Sequence, residues 1–314
     1  MHAEVFEMPV SADEYWTSYE LGTAKSLVDA VRLAKKAASE DLSSWVWRGQ
    51  ANAAWGLHSS LSRTLRTTLR RWPEERDLVD AEAKLFASAE QWGLGWASRG
   101  RLSALELLAL IRHHGAPSRF IDVSGSFAIA LHDACASAPD TEDRDARVFA
   151  FDGEGQVLTD HIANLESGPL NREPAWWTAA PDWWITSYTV WRAPAIDDRI
   201  VRQQGAFLIS GVPTTTGNQK WYLQGHGPGS GARFLNPLTA AEVLDVTSVG
   251  VRCHGAAGRG GRPDHPVRNF RIAAGAKEQI LRDLRVLFGL SAAGIYPDAA
   301  GFVKFGVAEI LPWM

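Results

Sequence analysis

Apolar and polar positions alternate in two distinct rhythms along this chain. Residues 24–40 carry Leu27, Val28, Val31, Leu33 and Ala34 near helical spacing, which predicts an amphipathic helix. A short apolar run at 45–48, Trp-Val-Trp-Arg, reads as a buried strand. After a polar turn, Arg63, Arg66 and Arg70 recur at offsets of three and four, placing them on one helical face. Two further helices are predicted at 74–91 and 102–113, the second strongly apolar through LSALELLALI. An acidic loop at 139–147 leads into the strand RVFAFD. RIVRQQGAFLIS at 199–210 also reads as strand. A helix at 277–288 stops at Gly289, the residue type that tolerates the left-handed helix end. Helices mixed with separated short strands, without regular βαβ spacing, give an α+β class. No internal repeat is found.

Two stretches carry candidate chemistry. In WVWRGQ, Arg48 follows an apolar strand and precedes Gly49. An arginine among apolar neighbours needs an anion or several acceptors, because it cannot lose its proton. Gly49 removes a side chain where something approaches the backbone. Either a ligand or an internal carboxylate, Asp122 for instance, satisfies Arg48. In LLALIRHHGAPSRFIDVSGSFAIALHDAC, a helix runs to His113 and His114 and is ended by Gly115 and Pro117. SRFIDVS is extended, and Ser124 or Ser126 caps a second helix of small and apolar residues. Two histidines, an arginine, an aspartate and a serine thus collect on one turn. A structural network in which Asp122 holds Arg119 is the alternative to a ligand site. Metal ligation by His113, His114, His132 and Asp133 is disfavoured, since adjacent helical residues point about 100° apart. No metal is expected.

The motifs resemble the FRG domain family. That family shows an aromatic-Arg-Gly motif, then L-x-P-S-L-x-R, then Q-H-[YF]-G-[LA]-P-T-R-L-L-D-W-T, then R-x-x-x-Q-x-G-x-F. Onto these fall Trp47, Arg48, Gly49 and Gln50; Arg63; His113, Gly115, Pro117, Arg119 and Asp122; and Arg199, Gln203, Gly205 and Phe207. This chain departs at Ser59, Arg112, His114, Ser118 and Val123, and Arg112 and His114 make the turn more basic. The likeness runs from about Trp45 to Gly301. It implies a helical lead-in at 1–43 and a single FRG-type domain at 44–314, with insertions near 160–190, 213–235 and 252–268.

The resemblance implies a layout similar to ADP-ribosyltransferases: short strands in two small sheets, flanking helices, and NAD as substrate in the cleft between them. The expected activity is ADP-ribose transfer or NAD cleavage, in a toxin or anti-phage effector acting on a protein or nucleic-acid acceptor, with a cognate antitoxin as a further partner. The alternative is a non-catalytic nucleotide-binding sensor or antitoxin-partner module. Arg48 and Arg119 are expected on phosphates, with Gly49, Arg63, Ser124 and Gln204 as further ligand contacts. Trp47, Phe120 and Phe207 supply aromatic faces. His113 orients the turn, and Gln203 orients the ribose hydroxyls. Departure of nicotinamide leaves an oxocarbenium-like ribose that a carboxylate stabilises. The late strand offers Gln203 and Gln204 where such a transferase carries glutamate, which leaves the charge role to Asp122.

Composition narrows this further. The 314 residues are 46% hydrophobic and 22% charged, with a net charge of -4. That balance argues against a surface gripping nucleic acid throughout. Cys135 and Cys253 lie far apart, giving neither a disulfide framework nor CxxC metal spacing. No secretory leader opens the sequence and no apolar run spans a bilayer, so the expected location is cytoplasmic, away from membranes. Five of the 14 tryptophans (Trp176, Trp177, Trp183, Trp184, Trp191) crowd one stretch, either as a stacking platform or as an apolar cover. The arginine-glycine loop at 252–268 reads as a phosphate-tracking segment or a solvated loop.

Overall fold

A computed structural model describes residues 11–38, 45–97, 100–136, 140–152, 188–212, 220–221, 238–250, 267–298 and 301–303. Its strands, in chain order, are β1 (Glu20–Ala24), β2 (Trp45–Gln50), β3 (Trp96–Ala97), β4 (Gly100–Arg101), β5 (Ile121–Ser124), β6 (Ala146–Asp152), β7 (Thr189–Trp191), β8 (Gly205–Ile209), β9 (Lys220–Trp221), β10 (Leu238–Thr239) and β11 (Val267–Ile272). The α-helices that position the site are α2 (Leu27–Ala38), α4 (Glu75–Gln91), α5 (Ala104–His113), α6 (Phe127–Cys135), α7 (Asp198–Arg202), α9 (Lys277–Phe288) and α10 (Ala292–Ile295). Three others are α1 (Ala12–Ser18), α3 (Ser60–Leu69) and α8 (Ala240–Val246).

Strand β6 shows why the sheet forms. Its sequence ARVFAFD is buried at six of seven positions, the reading of a strand covered on both faces. It pairs antiparallel with β2 through six residue pairs on one side and with β11 through six on the other. The full order is β1-β11-β6-β2-β5-β8-β7, with β1 parallel to β11 and every other pair antiparallel. The expected two small sheets are therefore one mixed seven-stranded sheet, beside two two-stranded ribbons. The pairing of Trp47 with Ser124 joins the halves. The α+β class holds.

Alternation along β2 and β6 serves two cores. Val46, Phe149 and Phe151 pack with Trp16 on one face. Trp45, Trp47, Val148 and Ala150 pack on the other, beneath small residues of α2 and α6 and against Ile280 and Leu284 of α9. Alanines at 30, 34, 37, 130 and 134 let those helices lie close to the sheet. A third cluster joins α4 and α5 to Phe120, Trp191, Phe207 and Ile209.

Several expectations meet differences. Arg70 is the C-cap of α3, with φ 55, not a helical residue. The stretch expected as one strand at 199–210 divides into α7 and β8: Asp197 caps α7 by accepting from the Arg199 amide, and Gln204 turns the chain at φ 46. The segment expected as a helical lead-in also contains β1, an edge strand of the sheet. Trp176, Trp177, Trp183 and Trp184, the glycine-rich excursion at 217–231 and most of the 252–268 loop lie outside the described residues. Trp191 is core, in the third cluster.

Candidate functional site

The sheet carries a defect at its middle. Strand β2 is paired along its whole length with β6 but meets β5 at the single Trp47–Ser124 pair. Beyond that pair a side chain bridges the two strands: Arg48 Nη1 donates to the Asp122 carbonyl at 2.7 Å. A cavity of about 450 Å³ opens at this seam. Its walls come from β2 (Trp47, Arg48, Gly49), β5 (Asp122, Ser124) and the end of α5 (Arg112, His113). Asp133 of α6, Arg199 and Gln203 at α7, and Tyr296 after α10 complete it.

Gly49 is required by close packing. A Cβ there would collide with the Ala130 carbonyl oxygen and the Ala134 nitrogen of α6. The glycine thus lets a helix, rather than a ligand, approach the strand.

The Asp122 carboxylate is the electrostatic centre. Arg112 Nη2 donates to it at 2.5 Å, and the side chain keeps 42% exposure toward the cavity. Burial pushes its pKa up, but Arg112 and Arg48 more than reverse this, so the carboxyl lies below its ordinary range and is ionised at neutral pH. Burial pushes Arg48 down to about 10, with Asp122 opposing and Arg112 and Arg63 adding to the shift, so it stays charged at neutral pH. His113 is pushed down chiefly by burial, which favours neutral imidazole. The proposed pair between Arg48 and Asp122 therefore exists through the main chain, while the carboxylate belongs to Arg112.

The opposite wall is held by a relay. Arg199 donates to the His113 carbonyl at 3.3 Å and lies over the Tyr296 ring at 4.8 Å. The Tyr296 hydroxyl donates to Asp133 at 2.6 Å. Ser124 Oγ donates to the Gln203 carbonyl at 2.6 Å and accepts from the Ser126 amide, so it ties β5 to the end of α7. The Gln203 side-chain nitrogen donates to the Ile295 carbonyl at 3.4 Å. Five buried nitrogens of this cavity have no hydrogen-bond partner: Nε of Arg48, Arg112 and Arg199, Nε1 of Trp47 and Nε2 of His113. Four are obligate donors. The residues that carry these unsatisfied donors border the cavity.

Of the residues expected from sequence, Trp47, Arg48, Gly49, His113, Asp122, Ser124 and Gln203 converge on the cavity. Five others do not line it. Arg119 is fully buried and spent on carboxylates: Nε donates to Glu82 at 2.7 Å, Nη2 to Glu82 at 2.7 Å and Nη1 to Glu75 at 2.8 Å. It stands away from the cavity where a phosphate contact was expected, and the alternative Asp122 partner is replaced by the two glutamates. Phe120 and Phe207 pack tilted against each other in the core with centroids 4.9 Å apart, so neither presents a face to a ligand. Gln204 faces a neighbouring depression with Gly125 and Arg192. Arg63 stands behind the wall, its Nη1 donating to the His58 carbonyl at 2.6 Å.

The sequence reading missed Arg112, Arg199, Asp133 and Tyr296 as site residues. Arg112 was marked only as a departure that makes the turn basic, and Arg199 only as a motif position. Asp133 was weighed only as a disfavoured metal ligand, and its bond to Tyr296 carries no local signal, because 163 residues separate the pair. Among the described residues no group of three or more His, Cys, Asp or Glu could hold a metal ion. No helix among them is long and apolar enough to cross a membrane.

An α+β chain with an arginine-lined cavity at a sheet seam is the class that the fold and geometry define. Residues 43–143 match the family model of the FRG domain. The match includes Trp47, Arg48, Arg112, His113, Asp122 and Asp133, and ends before Arg199, Gln203 and Tyr296. No curated protein matches the chain, and no solved structure does.

Proposed function

We propose that the cavity binds NAD and that the protein cleaves the bond between nicotinamide and ribose, passing ADP-ribose to water or to a macromolecular acceptor. The observation that carries this reading is an ionised Asp122 carboxylate set among arginines whose Nε donors lack partners. Arg48 and Arg112 take the phosphates, because guanidinium forks match phosphoryl oxygens. The cavity volume falls within the range of small-molecule sites, roughly 300–1,000 Å³. In the reaction the C–N bond breaks, and its electron pair goes to the pyridinium nitrogen, leaving neutral nicotinamide. Asp122 opposes the ribosyl cation, and Gln203 orients its hydroxyls. Water or an acceptor hydroxyl then bonds to the cationic carbon and loses its proton to solvent. The work is done in the cytoplasm of a cell that either targets phage or keeps the enzyme silent with an antitoxin.

The test is nicotinamide release from NAD by pure protein, followed by chromatography, with and without candidate protein and nucleic-acid acceptors. Release that Asp122→Asn abolishes supports the reading; no release above buffer in any mixture ends it. A second reading is a non-catalytic nucleotide sensor or antitoxin partner. It is favoured by the grip of Arg112 on Asp122, which offsets the charge the reaction needs. NAD would then raise the melting temperature without turnover, through binding to the folded state alone.

A further inference from the structure

The arginines around Asp122 outnumber their counter-charge. Arg48 and Arg63 donate to main-chain carbonyls, those of Asp122 at 2.7 Å and His58 at 2.6 Å. Arg112 shares the carboxylate of Asp122. Three guanidiniums thus stand around Asp122, with Asp133 as the second carboxylate that acts on Arg48, and each arginine lies close enough to feel at least one of the others. Such a cluster costs folding energy unless an anion joins it. Arg48 and Arg112 come from different elements, β2 and the last turn of α5; both line the cavity, and each has a buried Nε–H without a partner. Two forks on separate supports suit two adjacent phosphoryl groups better than one.

We infer that Arg112 is a specificity-determining residue, which makes the cavity select a diphosphate over a monophosphate, with Arg48 holding one phosphoryl group and Arg112 the other. This deepens the nucleotide reading of the same site and rests on it for location, but not on NAD as the particular ligand. Arg112 is also the position where the chain departs from the family's glutamine, so the preference belongs to this chain's own sequence. As Arg112 turns toward the anion, its hold on Asp122 loosens. Diphosphate binding therefore leaves that carboxylate freer to face a developing cation.

The test is calorimetric titration of the full chain with inorganic pyrophosphate and, separately, inorganic phosphate. Wild type should bind pyrophosphate at least about tenfold more tightly, the scale of one charge-assisted hydrogen bond pair. Arg112→Gln should erase most of that preference while circular dichroism stays native. Should that variant not fold, Arg112→Lys decides on the same readout: it keeps the charge but not the fork, and the preference should still shrink. Equal affinities in wild type, or a preference that neither substitution alters, overturns the inference. If NAD is cleaved while the preference ignores Arg112, this inference falls and the nucleotide reading stands. If pyrophosphate is preferred through Arg112 but NAD is neither bound nor cleaved, the reverse holds.

Discussion

Two buried arginine clusters flank one short strand and resolve their charge in opposite ways. Just before β5, Arg119 is closed: its fork meets Glu82 and Glu75, with the Ser210 carbonyl at 3.4 Å. On the other side of the strand, Arg48 and Arg112 are open: Arg112 alone bonds the Asp122 carboxylate, Arg48 bonds the Asp122 carbonyl, and the Nε atoms of both lack partners. In the closed cluster burial would lower the arginine, but Glu75 and Glu82 more than reverse this and hold it protonated. In the open cluster burial wins at Arg48. A closed cluster fixes the fold. An open one is left for something else to complete. Arg119 and Asp122, three residues apart in one motif, serve these different ends.

The largest expected effect breaks the closed cluster. Arg119→Gln strands the fully buried Glu82 carboxylate, which should cost about 3–5 kcal/mol in urea denaturation. Cavity substitutions of similar chemistry should cost far less.

Acid gives the next effect and separates scaffold from site. His58 is buried against Trp72, with Nε2 at 2.8 Å from the Leu244 carbonyl, and burial pushes its pKa down to about 4. Between its ordinary value near 6.5 and 4, the unfolded chain binds a proton that the folded chain refuses. Stability should therefore fall by about 3 kcal/mol across that window and level off below it. Denaturation curves of His58→Phe should lose most of this slope. Asp122 follows the same sign in a lower window: its depressed carboxyl contributes stability above the ordinary carboxylate value and loses it as pH falls through the lowered one. Loss of function above pH 4 should then track unfolding rather than protonation of Asp122.

Asp122→Asn sharpens the comparison from the open side. Neutralising the carboxylate frees Arg112 for an anion while Arg48 keeps its main-chain bond, so NAD binding should be kept or tightened. Nicotinamide release should fall on the order of 100-fold, the scale of losing one preorganised electrostatic group. Chromatographic rates beside calorimetric affinities check both halves.

Gly49→Ala disturbs the scaffold on the other side of β2, the strand that carries Arg48. The new methyl meets backbone of α6 at Ala130 and Ala134 rather than a yielding side chain. A loss of about 1–3 kcal/mol in thermal unfolding is expected, from overpacking.

Much of the scaffold was legible because its elements have a clean period. The helices at 27–38, 75–91, 104–113 and 277–288 lie within or close to their apolar patterns, and Gly289 ends the last at φ 64. The strands at 45–50 and 146–152 are apolar runs too short for helices. Short elements were not legible. Five residues of α7 sit inside a strand-like string, and only the Asp197 cap and the Gln204 turn, both tertiary in their consequences, divide it. The site was half legible: motif residues gathered at the seam, yet no local pattern says that Glu82 claims Arg119 or that Tyr296 reaches Asp133. Partners across 37 and 163 residues are set by packing, not by spacing.

The open-cluster claim meets its most direct test in the melting temperature of Arg48→Gln, measured in buffer and again in saturating NAD. A scaffold arginine would lower the first value. An arginine kept for an anion would instead lose the second, since the ligand stabilises only through the site that binds it. The account predicts a melting temperature in buffer equal to wild type or slightly higher, with the NAD-induced rise abolished. A fall of several degrees in buffer with the rise intact would contradict it.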